Sequence, residues 1–144
     1  MNPLFESIDA QEKGMNAWIG TLLTVTLAMI AFLVALRPGS QRAELVLHAY
    51  AAGWSFTILS VVLCVIALFR PVALAQLKQY TAENMHHLLR VKDEPGYKVP
   101  WTSRGYRLGL QMRIIHRCQR GAIYAFVLAL LSTVAYGYLR ANGT

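Results

Sequence analysis

The chain has 144 residues, one domain's worth, yet 56% of it is apolar and its mean hydropathy is +0.39, above what a soluble fold of this size carries. Its net charge of +7 does not point to nucleic acid, because eleven of the fourteen Lys and Arg are Lys13 or lie between Arg70 and Arg120, and no aromatic-interleaved basic motif accompanies them. The two cysteines, Cys64 inside one apolar run and Cys118 ahead of another, fall at different depths, which excludes a disulfide scaffold.

Residues 1–16 form a polar arm in which Leu4, Phe5 and Ile8 recur at helical spacing opposite Glu6 and Asp9, as in a short helix lying at a membrane interface. The first apolar run, 17–36, exceeds a signal-peptide core. It follows net acidic flanks (Glu6, Asp9, Glu12, Lys13), so it reads as a retained membrane helix. Arg37-Pro38-Gly39-Ser40 ends it, and the 37–48 loop is long enough to return the chain as an antiparallel second helix over 49–69.

Arg70-Pro71 closes the second span, but Leu74, Leu77, Thr81, Met85 and Leu88 continue at alternating spacings of three and four, which predicts a helix continuing past a proline kink. Lys92-Asp93-Glu94-Pro95-Gly96 is a turn by composition, and the stretch through Pro100 and Thr102 is a loop holding Tyr97 and Trp101. From Ser103 an amphipathic helix with Leu108, Met112 and Ile115 on one side runs into the third span, 121–139, followed by a tail, 140–144. Residues 70–120 are thus expected to be a cytoplasmic helical hairpin extending the second and third spans. The predicted fold class is an all-α integral membrane protein with three transmembrane helices.

None of the three spans contains Asp, Glu, Lys or Arg, which disfavours coupled transport by one subunit, since transporters place ionisable groups at depth. Small residues instead recur regularly: Ala17, Thr21, Thr24, Ala28, Ala31 and Ala35 in the first span, Gly53, Thr57, Ser60, Cys64 and Ala67 in the second, Ala122, Ala125, Ala129 and Ser132 in the third. Such stripes let helix backbones approach in lipid, either inside a three-helix bundle or against a neighbouring copy. In a cyclic assembly the first helix, with Thr21 and Thr24, is the expected pore lining. The stripe also predicts that Ala28→Leu or Ala31→Leu disturbs packing or assembly and that Leu33→Ala matters less.

Adjacent His86 and His87 point apart on a helix and read as solvated, while His48 and His116 belong to opposite membrane faces, so no pair ligates one metal or haem. Arg113, Arg117 and Arg120, with Arg104 and Arg107, read as contacts to anionic lipid headgroups or to an acidic partner. No Walker loop, nucleophile pair or cofactor motif is present, so neither catalysis nor a cofactor is expected.

Ile114-Ile115-His116-Arg117, with Gly121 following, resembles the His-Arg approach to the first membrane helix in the anchor subunits of succinate dehydrogenase, which also have three spans. That resemblance implies haem and quinone beside a dehydrogenase. Here the run precedes the last span, and the second carries no haem-ligand segment.

Two functional classes follow. One is a non-enzymatic membrane protein that assembles with itself as a channel or a holin-like or antiviral pore-forming effector, regulated through its hairpin. The other is an accessory or anchor subunit of a larger, respiratory-type complex. The charge asymmetry places the N-terminus in the cytoplasm and the C-terminus outside, as in a bacterial inner membrane.

Overall fold

The computed structural model describes residues 3–39, 43–98 and 103–142. It contains α1 (Pro3–Ala35), α2 (Glu44–Leu68), α3 (Arg70–Glu83), α4 (Met85–Asp93) and α5 (Ser103–Ala141), and no strand among the described residues. Three stretches, Asp9–Ala35, Glu44–Glu83 and Ser103–Ala141, are long and apolar enough to cross a membrane. The chain resolves into two compact units, Met1–Leu68 with Cys118–Thr144, and Phe69–Arg117.

In the first unit, α1 supplies bulk and its partners supply space. Ile19, Leu22, Thr26, Met29 and Leu33 recur at spacings of three and four and form the buried face of α1. The facing surfaces are mostly small: Gly53, Thr57, Ser60, Cys64 and Ala67 on α2, and Ala122, Ala125 and Ala129 on α5. A Cβ built on Gly53 would lie 3.6 Å from Leu33 Cδ2, in ordinary contact, whereas one on Gly121 would lie 3.2 Å from Leu63 Cδ1, so there a large side chain seats close on the backbone. Ile19, Leu22, Cys64, Ala67 and Ala122 close the core at one level, with Leu23, Leu63 and Phe126 packed against it.

The C-terminal end of α1 is held by other helices. A helix leaves its last carbonyls without intrahelical donors. Here the Leu33 carbonyl accepts from the Tyr50 hydroxyl at 3.1 Å, and the Leu36 carbonyl accepts from the Tyr136 hydroxyl and from Arg140 Nη1 at 2.9 Å. The Tyr50 ring packs on Tyr136 at 5.2 Å and meets Trp54 edge-on at 6.4 Å.

Of the expected separate arm over 1–16, the described residues, from Pro3 on, are instead the beginning of α1, which runs on without interruption. Pro3 is tolerated in a first turn, and Gly14 costs a helix interior only about 1 kcal/mol, too little to interrupt it. The side chains of Leu4, Phe5 and Ile8, on which the interfacial reading turned, lie outside the described residues. The loop after α1 is shorter than 37–48, because α2 begins at Glu44 with Ala43 O accepting from Val46 N and Leu47 N at 3.0 and 3.3 Å.

In the second unit, Pro71 sits in the first turn of α3, where its missing N–H costs least, and the interruption falls at Phe69. A second break, at Asn84, is absent from the predicted pattern. Asn84 aims both its backbone N–H and its side-chain amide at the Tyr80 carbonyl, at 3.1 and 2.9 Å, and adopts φ −104°, ψ 14°. An asparagine that takes a local carbonyl competes with helix propagation. The expected stripe therefore survives only through Leu74, Leu77 and Thr81, which are half-buried. Met85 is 50% exposed, and the Leu88 side chain lies outside the described residues.

The predicted turn is present only from Glu94 on, because Lys92 and Asp93 complete the last turn of α4. Tyr97 N donates to Glu94 O at 3.0 Å, Pro95 takes the second position and Gly96 the third with φ 114°, the left-handed backbone that a type II turn requires there. Tyr97 then folds back onto α4, its hydroxyl 2.7 Å from His87 Nδ1 and its ring 5.5 Å below the Arg90 guanidinium carbon. The expected loop residues Pro100, Trp101 and Thr102 lie outside the described residues. Across the unit, Gly105 on α5 gives room for Tyr80, since a Cβ at 105 would meet the Tyr80 hydroxyl at 2.6 Å.

Candidate functional site

The predicted small-residue faces have two different fates. On α2, Gly53, Thr57 and Ser60 are buried, and on α5 so are Ala125 and Ala129. These faces are consumed by packing within the first unit. On α1, Ala17, Thr21, Thr24, Ala28, Ala31 and Ala35 are all exposed, on the side of the helix opposite the buried Ile19–Leu33 face. Trp18, Val25 and Phe32 stand along one edge of this stripe and Leu27 and Val34 along the other, all exposed, so the small residues form the floor of a shallow groove.

The reason for the inversion is volume. Two helices with small faces already provide the recess, so the third contributes side chains large enough to fill it. The expectation that Leu33→Ala matters less than Ala28→Leu is reversed for the fold, because Leu33 is completely buried while Ala28 and Ala31 face outward.

The hydroxyls expected to line a pore are locally satisfied. Thr21 Oγ1 donates to Ala17 O and Thr24 Oγ1 to Gly20 O, each at 3.0 Å. Buried Thr26, Thr57 and Thr133 back-bond in the same way at 2.7, 2.6 and 2.7 Å. Ser60 reaches across instead, to Ala122 O at 3.4 Å. Each hydroxyl thereby avoids an unsatisfied donor in an apolar setting.

The five arginines separate into two sets on α5. Arg113, Arg117 and Arg120 are exposed on the side away from buried Leu108 and Ile115. Arg104 and Arg107 flank Leu108 and line a polar cleft of about 390 Å³ with Gln76 and Gln79 of α3 and Ser103 and Gln111 of α5. Arg104 Nη1 pairs with Glu83 Oε2 at 3.0 Å, and the other carboxylate oxygen accepts from Gln79 Nε2 at 3.0 Å. Arg107 has no ion-pair partner among the described residues.

Among the described residues no group of three His, Cys, Asp or Glu could hold a metal ion. The His86 and His87 rings lie 3.9 Å apart, and His87 is not simply solvated but half-buried and bonded to Tyr97. His48 bonds to its own helix, Nδ1 lying 2.8 Å from Glu44 O.

No family model, curated protein or solved structure matches this chain.

Two features escaped the sequence reading. The Tyr50–Tyr136–Arg140 cluster joins residues with no shared spacing, and only the stranded carbonyls at the end of α1 hint that donors must come from elsewhere. The polar cleft needs α3 and α5 side by side. Its arginines were visible, but its three glutamines carried no signal of their own.

Proposed function

We propose that the chain is a multi-pass membrane protein without enzymatic activity, assembling with copies of itself through the outward groove of α1 into a channel-like or pore-forming unit. The observation that carries the reading is the small-residue groove itself, turned away from its own bundle and walled by large side chains. In lipid, apolar surface gains nothing by associating with apolar surface, so close backbone approach along Ala and Thr faces is what favours contact. Residence in a membrane is supported by how little of the apolar windows the fold covers: 28%, 22% and 28% of them are buried. An outward apolar surface of this extent suits lipid better than water.

Residues 70–120 form the cytoplasmic helical hairpin of this assembly and regulate it, with the N-terminus on the same side and the C-terminus outside. The Lys and Arg distribution supports that orientation. Arg113, Arg117 and Arg120 face anionic headgroups. In a closed ring of α1 contacts, Thr21 and Thr24 lie nearest the axis.

Native mass spectrometry from detergent is expected to show a homo-oligomer, Ala31→Cys to cross-link between copies, and the pure protein to release dye from liposomes. A monomer that leaks nothing ends the pore reading. Recovery of a stoichiometric unlike subunit, or haem absorbance, from native membranes replaces it with the anchor-subunit reading.

A further inference from the structure

We propose that the cleft between α3 and the first turns of α5 binds a phosphate-bearing small molecule. The cleft, at about 390 Å³, is of the size that encloses a compact ligand. Its lining is hydrophilic: two guanidinium groups, three side-chain amides and a hydroxyl, with Leu108 the one apolar member. Guanidinium forks match the oxygens of phosphate, and neighbouring amides supply further donors to the oxygens the forks leave over.

Arg104 Nη1 and Gln79 Nε2 are shared with Glu83, and the open donors are those of Arg107, Gln76 and Gln111. Glu83 fixes Arg104 from outside the cleft and is itself held by Gln79, so Arg104 is oriented before any ligand arrives. Arg107 is exposed and unpaired among the described residues, and Gln76 and Gln111 are exposed and bond to no protein group among them. No carboxylate lines the cleft, so its net charge is positive. The close seat of Tyr80 on Gly105 fixes the spacing of the two walls. An apolar ligand would find one leucine here, whereas a phosphate finds the Arg107 fork and the Gln76 and Gln111 amides.

Phosphate is supplied by a soluble compound or by a lipid headgroup, and the two are separable by experiment. The full-length protein is placed in phosphatidylcholine nanodiscs and titrated calorimetrically with inorganic pyrophosphate. Saturable binding is expected, weakened at least about tenfold by Arg107→Gln, as loss of a charge-assisted contact implies, and unchanged by Lys92→Gln on α4, which does not line the cleft. Arg107→Lys, which keeps the charge and loses the fork, is expected to fall between. Absence of saturation, or equal weakening by Lys92→Gln and Arg107→Gln, overturns the proposal. With phosphatidylglycerol added to the nanodisc, displacement of pyrophosphate identifies the headgroup as the source, and undiminished binding identifies a soluble one. Binding is read without any measure of assembly or leakage, so it stands or falls apart from the pore reading.

Discussion

A hydroxyl inside an apolar helix must find a partner, and in this chain almost every one finds it four residues back. Thr21, Thr24, Thr26, Ser55, Thr57, Thr81 and Thr133 all donate to the preceding turn. They therefore act as small, slightly bulky apolar residues, and their value lies in size. Gly53 makes the point sharper. A Cβ there would rest 3.5 Å from Thr133 Oγ1 and 3.6 Å from Leu33, ordinary contact, so Gly53→Ala fits. Alanine also favours helix by about 1 kcal/mol. Thermal unfolding in detergent should show Gly53→Ala as stable as the parent or more so, and Gly53→Leu weaker by about 1–3 kcal/mol from overpacking. A clear loss in the alanine variant would mean that the backbone contact at 53 is tighter than described.

At the scale of the helix, α1 carries two faces whose substitutions should part company. Leu33→Ala removes a fully buried side chain and is expected to cost about 2–5 kcal/mol of stability. Ala28→Leu adds bulk to an exposed position, so thermal stability should hold while the proposed oligomer, followed by native mass spectrometry, should dissociate. Equal loss of stability in both variants would contradict the assignment of faces. The helices themselves were legible in the sequence because their signals are local: runs without charge, Pro71 in a first turn, the Pro95-Gly96 turn, and Ser103 opening α5. The face that α1 buries was not legible, since a stripe of alanine and threonine and a stripe of leucine and isoleucine are equally regular. Which one turns inward depends on the volume left by α2 and α5. Asn84 was missed for a related reason, as its side chain decides between helix and cap only through the Tyr80 carbonyl.

For the whole molecule, the proposed orientation rests on where the cations lie, and it is open to chemical labelling. Single cysteines in place of Gly39 and Asn142, with Cys64 and Cys118 replaced by serine, should react with an impermeant maleimide on intact cells. A cysteine in place of Glu94 should react only after the membrane is opened. Labelling of position 94 on intact cells would invert the topology and place the phosphate cleft on the outer side. That result would leave the cleft's chemistry unchanged and alter which phosphates can reach it.

The carbonyl of Leu36 accepts from Tyr136 and Arg140, which are made a hundred and more positions later in synthesis. A ribosome releasing this chain therefore completes α1 with that oxygen still dependent on a donor from outside the protein. The contact that seats it forms only when α5 has been translated. Tyr50 of α2 seats the Leu33 carbonyl well before that, so the end of α1 is secured in two stages, first by its neighbour in the chain and then by α5.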